Sequence, residues 1–316
     1  MSFALRYCRL GIKYAFIFNM KYYLFFILLI CITSAFDLNK KNTNIDTSKV
    51  ELGHYLFFEK ALSKTGTKSC SSCHDPKFAF SDGYRKPLGI YADELPHNTP
   101  SLLNVVEYRS LNWANPELHD FEQQMLRPLF GMQPIEMGNN IKDTALFLLL
   151  HEQGLYEKLY SSAFPNDKNA FNWKNTITAI AEYVKKLQSK NSTYDRFLAQ
   201  KTIFSQEQKD GYDLFFSKKT KCFTCHKTDF FSDSKFYKIS KSGEEKIRTP
   251  SLRNVALTSP YLHDGSVATL SEVVDICQKY KGKKKLTTLE NVAIVNFLYT
   301  LTDSTIFKNP LFQDPF

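Results

Sequence analysis

Cys70-Ser71-Ser72-Cys73-His74 and Cys222-Phe223-Thr224-Cys225-His226 decide how this chain reads. Each is a Cys-x-x-Cys-His motif, the pattern of covalent c-type haem attachment. In that chemistry the two thiols add to the porphyrin vinyl groups, and the adjacent histidine is held against one face of the iron. One copy alone competes with a zinc knuckle or a redox dithiol. Two copies, each ending in histidine and with no further Cys-x-x-Cys in 316 residues, favour haem.

The flanking sequence repeats with the motifs. Leu56-Phe57-Phe58 precedes the first and Leu214-Phe215-Phe216 the second; Phe80-Ser81-Asp82 follows the first and Phe231-Ser232-Asp233 the second. Asn98-Thr99-Pro100-Ser101-Leu102-Leu103-Asn104-Val105 is echoed by Arg248-Thr249-Pro250-Ser251-Leu252-Arg253-Asn254-Val255. His74 to Thr99 spans 25 residues and His226 to Thr249 spans 23. Landmarks in one order at one spacing predict an internal duplication, with residues 36–195 as an N-terminal and 196–316 as a C-terminal haem domain. The join is expected in the polar stretch Ser189–Ser205. Two copies are too few for a solenoid.

An all-α fold is expected. Residues 142–160, 174–200 and 290–301 carry apolar positions at helical spacing, Ile177, Ile180, Ala181, Val184 and Leu187 among them. Gly66, Gly83, Pro87, Gly89 and Pro96 mark turns around the first haem motif. A small helical domain suits a haem, whose flat apolar ring replaces much of a core.

The first 35 residues hold Arg6, Arg9, Lys13 and Lys21 and no acid; an apolar run from Tyr22 to Ile32 then ends near Thr33-Ser34-Ala35. That is the layout of a secretory signal, and a start at Met20 would give a shorter one. An uncleaved anchor, or lipidation at Cys31, are the alternatives. Export to the periplasm suits c-type haem, which is attached outside the cytoplasm. Four of the seven cysteines belong to the haem motifs, and Cys8 and Cys31 lie in the leader, so Cys277 has no disulfide partner in the mature body.

Formal net charge is +9, falling to +5 without the first 35 residues. Bases are dispersed among acids except at Lys283-Lys284-Lys285, so no nucleic-acid surface is expected. The excess can bias the choice of an electron-donor protein. Hydrophobic content of 43% argues against disorder.

From Leu52 to Leu301 the chain resembles the bacterial di-haem cytochrome c peroxidases, and it is similar to their relatives that mature methylamine dehydrogenase. The motifs above carry the likeness. So do Pro134-Ile135-Glu136-Met137-Gly138, Arg248 to Tyr261, and His263-Asp264-Gly265, all in family order. The resemblance implies two haems c, a peroxide site at the N-terminal haem and electron exchange at the C-terminal one. Partners would be hydrogen peroxide and a small donor, a cytochrome c or cupredoxin; a homodimer is one assembly open to it.

Peroxidase members of the family close the N-terminal iron with a histidine 16 residues after the motif histidine; here that position is Ile90. An open iron, ready without reductive activation, is expected, with Tyr91 as the one substitute ligand considered. The family's acid and amide fall on Glu136 and, within Gln123-Gln124, on Gln124, although two extra residues separate Pro128 from Glu136. Glu136 would transfer the peroxide proton and Gln124 would orient peroxide or water. The inter-haem tryptophan of a Trp-Asp-Gly-Arg motif falls near Trp113-Ala114-Asn115-Pro116. Asn98, Thr258 and Pro260 match calcium-holding positions, oxygen donors suited to Ca²⁺.

The second haem departs most. Its sixth ligand in the family is Met or Tyr, 14 residues after the histidine of His-Asp-Gly; counting from His263 reaches Cys277, and the last methionine of the chain is Met137. Cys277, Tyr280 or an empty position are the alternatives. Peroxidase, peroxide-driven oxidation of a protein or small molecule, and non-catalytic electron carriage are the functions to separate.

Overall fold

Asp46 begins the described chain by accepting the Ser48 and Lys49 amides, capping α1 (Thr47–Phe58). The chain continues through α2 (Phe121–Phe130), α3 (Ala145–Glu152), α4 (Gly154–Ala163), α5 (Trp173–Lys185), α6 (Thr193–Leu198), α7 (Gln206–Phe215), α8 (Leu270–Lys281) and α9 (Thr288–Tyr299). β1 (Phe236–Tyr237) and β2 (Ile247–Arg248) pair antiparallel, Phe236 opposite Arg248. In this computed structural model the described residues are 46–238, 245–281 and 285–316, and they are mostly helical. The signal reading of residues 1–35, Cys31 included, and Lys283 and Lys284 lie outside them. Among the described residues no helix is long and apolar enough to cross a membrane.

Two close helix crossings organise the core. At Gly53 of α1 a Cβ would stand 1.9 Å from the Ala179 carbonyl oxygen of α5 and 2.9 Å from Tyr183 Cβ. At Gly211 of α7 a Cβ would stand 1.9 Å from the Ala293 oxygen of α9 and 2.9 Å from Phe297 Cβ. Only glycine permits backbones this near.

The aromatic packing around each crossing follows one plan. Phe57 meets Tyr183 with centroids 5.1 Å apart at 55°, and Phe215 meets Phe297 at 5.1 Å and 54°. Phe57 meets Phe80 at 6.0 Å and Phe215 meets Phe231 at 5.8 Å. Burying a ring of this size stabilises by roughly 1.5–3 kcal/mol, so these six rings hold the core beneath both haem motifs. Asn104 and Asn254, both buried in the left-handed region, send their side chains to one junction. Asn104 bonds the Ser189 backbone through both amide atoms, while Asn254 receives the Asp303 amide and donates to Ser189 Oγ.

Two helices expected from periodicity are broken. The helix expected over 142–160 divides at Gln153, whose extended backbone separates α3 from α4. That expected over 174–200 stops at Lys185, because Ser189 is taken up by the asparagine junction and Ser192 then forms a capping box with Asp195 to start α6. α6, straddling residue 195, packs on the C-terminal cluster: Tyr194 meets Phe231 at 5.0 Å, and Asp195 takes both terminal nitrogens of buried Arg253 at 2.9 Å.

Candidate haem sites

Both Cys-x-x-Cys-His motifs form a single tight turn. The His74 amide donates to the Cys70 carbonyl at 2.9 Å and the His226 amide to Cys222 at 3.0 Å, drawing each histidine back under its cysteines. In both, Nδ1 lies 2.9 Å from a backbone carbonyl, Phe80 for His74 and Phe231 for His226. A carbonyl only accepts, so Nδ1 carries the proton and Nε2 keeps its lone pair, the tautomer that ligates a metal. Burial holds both imidazoles below the usual histidine range, against the partial opposition of those carbonyls. Burial and the neighbouring Cys73 thiol push Cys70 up to about 12, and burial pushes Cys73 up to about 11.

At the first turn, Glu136 is near enough to act electrostatically on both Cys70 and Cys73. The Ile90 amide donates to the Glu136 carbonyl at 3.0 Å, and the Ile90 side chain covers Gly138. Position 90 therefore puts an aliphatic chain against the Glu-Met-Gly loop at Gly138, and Tyr91 stands half exposed on the turn that follows. Burial raises the Glu136 carboxyl, opposed by Arg127. The Met137 amide bonds the Pro128 carbonyl at 3.0 Å, which lays the Glu-Met-Gly loop against the turn of α2 that follows Gln124. Gln124 Oε1 is buried and without a hydrogen-bond partner among the described residues, whereas Gln123 is exposed.

At the second turn a cavity of about 250 Å³ opens beside Cys222, Cys225 and His226, bounded also by Trp113, Arg248 and Cys277. Asn98, Thr258 and Pro260, the expected calcium positions, border it too. The Asn98 amide nitrogen donates to the Tyr84 carbonyl at 2.8 Å. Thr258 Oγ1 donates to Val255 O at 3.2 Å.

Trp113 ties the halves together. Its indole N–H donates to Asn98 O at 2.8 Å, and its carbonyl accepts the Arg248 amide at 2.8 Å. Arg248 is 2% exposed, its guanidinium 3.4 Å above the Tyr108 ring and its Nε bonded to Asn112 O. Nη1 has no partner among the described residues. A buried cation with a spare donor at this cavity suits a group carrying carboxylates, as the haem propionates do. The two bare Nε2 atoms, the paired thiols and this orphaned donor together fit two haems c.

Cys277 is exposed and opens onto the same cavity; the protein packed around it, with Cys222 and Cys225 nearby, raises its thiol. Sequence reasoning missed Arg248 and Gln278, whose Oε1 is also buried and unpartnered. The sequence did carry a signal for Arg248, since it precedes Thr249-Pro250-Ser251-Leu252 as Asn98 precedes Thr99-Pro100-Ser101-Leu102. Among the described residues no group of three or more His, Cys, Asp or Glu is placed to hold a metal ion, so the cysteines are not gathered as a zinc site.

The model of the di-haem cytochrome c peroxidase family matches residues 47–203. The chain is 30% identical to the methylamine utilization protein MauG of Methylorubrum extorquens over 253 residues, 74% of this chain and 70% of that one. It is 28% identical to the cytochrome c551 peroxidase of Nitrosomonas europaea, covering 86% and 85%. Among solved structures, a MauG-like protein associated with microbial copper homeostasis superposes with a TM-score of 0.79 at 33% identity, covering 85% of this chain and 93% of that one. The di-haem peroxidase BthA of Burkholderia thailandensis shares the fold at a TM-score of 0.67 and 20% identity. The chain belongs to the di-haem cytochrome c peroxidase and MauG family, and is an oxidoreductase with two haems c.

Proposed function

We propose that this enzyme reduces hydrogen peroxide to water at the haem on His74, with electrons from a periplasmic redox protein entering through the haem on His226. The observation that carries the reading is the pairing of Ile90 with Glu136: the backbone amide of a residue that cannot ligate donates, at 3.0 Å, to the backbone carbonyl of a half-buried acid. When bound by Cys70, Cys73 and His74, a haem would supply iron redox chemistry for O–O cleavage; two electrons and two protons convert one peroxide into two waters. Glu136 takes the proton from the near peroxide oxygen and returns it to the departing one. Its raised carboxyl suits a group that must hold a proton and release it. Gln124, with a spare buried acceptor, orients peroxide or water through their O–H groups. Trp113, bonded to Asn98 on one side and Arg248 on the other, is the relay between halves.

The matched glycine crossings and ring pairs support a duplicated haem domain, residues 36–195 for peroxide and 196–316 for electron exchange. Charge supports the same division: residues 196–316 hold 19 Lys and Arg against 13 Asp and Glu, while 36–195 hold 18 against 19. An electron donor with an acidic face would therefore be steered to the C-terminal half. Asn98, with carbonyls of Thr258 and Pro260, is assigned to calcium, and the leader-like residues 1–35 to export.

A second reading, peroxide-driven oxidation of a protein or small molecule, is favoured by the likeness to the MauG-like structure and by the lack of any methionine after Met137. Non-catalytic electron carriage fits poorly with Ile90. Steady peroxide turnover with a reduced small cytochrome c tests the first reading. Its absence, with peroxide consumed only when an oxidisable substrate is present, would transfer the assignment to the second.

A further inference from the structure

The geometry points to Cys277 as the sixth ligand of the second haem iron, bound as thiolate opposite His226. The inference rests on the two-haem reading above and settles a position at which relatives differ. On α8, Leu270, Val274 and Cys277 follow at i, i+4 and i+7, one face of the helix. Leu270 and Val274 bury in the C-terminal core, and Cys277 extends that face onto the cavity. The neighbouring residue fixes the approach. Gln278 Nε2 donates to Thr220 O at 3.0 Å and lies 3.9 Å from Cys222 Sγ, clamping this turn of α8 against the attachment turn.

The cavity is built for a bound group independently of the cysteine. Arg248, 2% exposed, and Gln278, 6% exposed, each present a buried polar atom there without a partner among the described residues.

His263, Tyr237 and Tyr280 also border this cavity, and His263 Nδ1 is buried without a partner among the described residues, so the choice rests on what surrounds each. His263 is surrounded by Asp264, His97, Glu245 and Lys86, groups of the loop facing the N-terminal half, whereas Cys277 is surrounded by the attachment cysteines. Tyr237 donates its hydroxyl to Asp233 at 2.7 Å, which commits that oxygen to a carboxylate. Tyr280, three residues beyond Cys277, is exposed as Cys277 is and borders the cavity too, so the iron–sulfur shell measured below is what separates the two. No methionine remains in this half of the chain.

On ligation the S–H bond breaks, its proton leaves to solvent, and a sulfur lone pair forms the bond to iron with no change of oxidation state. Thiolate pushes charge onto iron, the opposite of the thioether that raises a cytochrome potential.

The test uses the full holoprotein, wild type beside Cys277→Ala and Cys277→Met. A pyridine haemochrome assay first counts haems per chain. Iron X-ray absorption of the oxidised wild type should then show an iron–sulfur shell, and low-temperature EPR a low-spin signal. In Cys277→Ala the sulfur shell and that signal should disappear. Cys277→Met should regain a low-spin iron with a higher midpoint potential than wild type. Two haems with no iron–sulfur shell in wild type would overturn the assignment and leave the di-haem reading intact. So would an EPR spectrum that Cys277→Ala does not alter. Fewer than two haems in wild type would overturn both. If Cys277→Ala fails to retain its second haem, the wild-type shell alone decides.

Discussion

Arg248 donates its backbone N–H to the carbonyl of Trp113 at 2.8 Å and sets its guanidinium 5.8 Å from the indole, so the one residue fixes the backbone and charge environment of the other. The indole N–H meanwhile reaches back to Asn98. Trp113→Phe keeps the packing and removes that bond, at a stability cost of about 1 kcal/mol. Donor-driven peroxide turnover should fall, while the first peroxide reacted by a fully reduced enzyme is still consumed at the wild-type rate. Stopped-flow absorption separates the two; equal losses in both would remove Trp113 from the relay.

Glu136→Gln should lower kcat/KM for peroxide by about 10²–10⁴-fold, the usual worth of a general acid–base group, without changing the haem count. Stability should respond in the opposite direction. The folded carboxyl is raised by burial, so the folded state holds the proton more tightly than the unfolded. Its contribution is present below the unfolded value and is lost as pH rises through the folded one. At neutral pH the glutamine variant should therefore melt at the same temperature or higher. A coincident loss of Tm would mark Glu136 as structural.

The Asp195–Arg253 pair follows the reverse sign. Burial raises the Asp195 carboxyl, but hydrogen bonds from Arg253 and Ser192 outweigh it and hold it below the usual range. The stabilisation is present above the unfolded carboxylate range and is lost as pH falls through the folded value. Arg253→Ala should cost about 2–3 kcal/mol, the buried-pair value reduced because Asp195 keeps some exposure. Urea unfolding at neutral and acid pH checks this: the gap between variant and wild type should narrow in acid.

Gly53→Ala and Gly211→Ala should each destabilise by about 1–3 kcal/mol, since the added methyl overlaps a facing carbonyl and the helices must part. If the halves are copies, each variant should chiefly weaken retention of its own haem, read by domain-resolved peptide mapping of the attached haem. Equal loss of both haems from either variant would speak against two similar units.

These sites show how far the residues alone could be read. The haem turns were legible because cysteine and histidine at that spacing state their own chemistry, and the placement of Glu136 near the first of them because its loop keeps a five-residue motif. The helix ends at Gln153 and Lys185 were not. The end at Lys185 depends on Ser189 and Ser192 finding partners 85, 114 and 3 residues away, Asn104, Asp303 and Asp195, which local periodicity does not encode. Arg248 was quoted within a repeat yet passed over, because an orphaned donor exists only once Tyr108 and Asn112 have closed around it. Ile90 needed only counting, but its contact with Glu136 needed the fold.

Cyanide binding to the oxidised, as-purified enzyme tests the central claim most directly, because cyanide binds only iron with a vacant position. The account predicts that one of the two haems binds cyanide promptly with no prior reduction, and that the other does not. Two irons that both resist cyanide until an electron is added would contradict it.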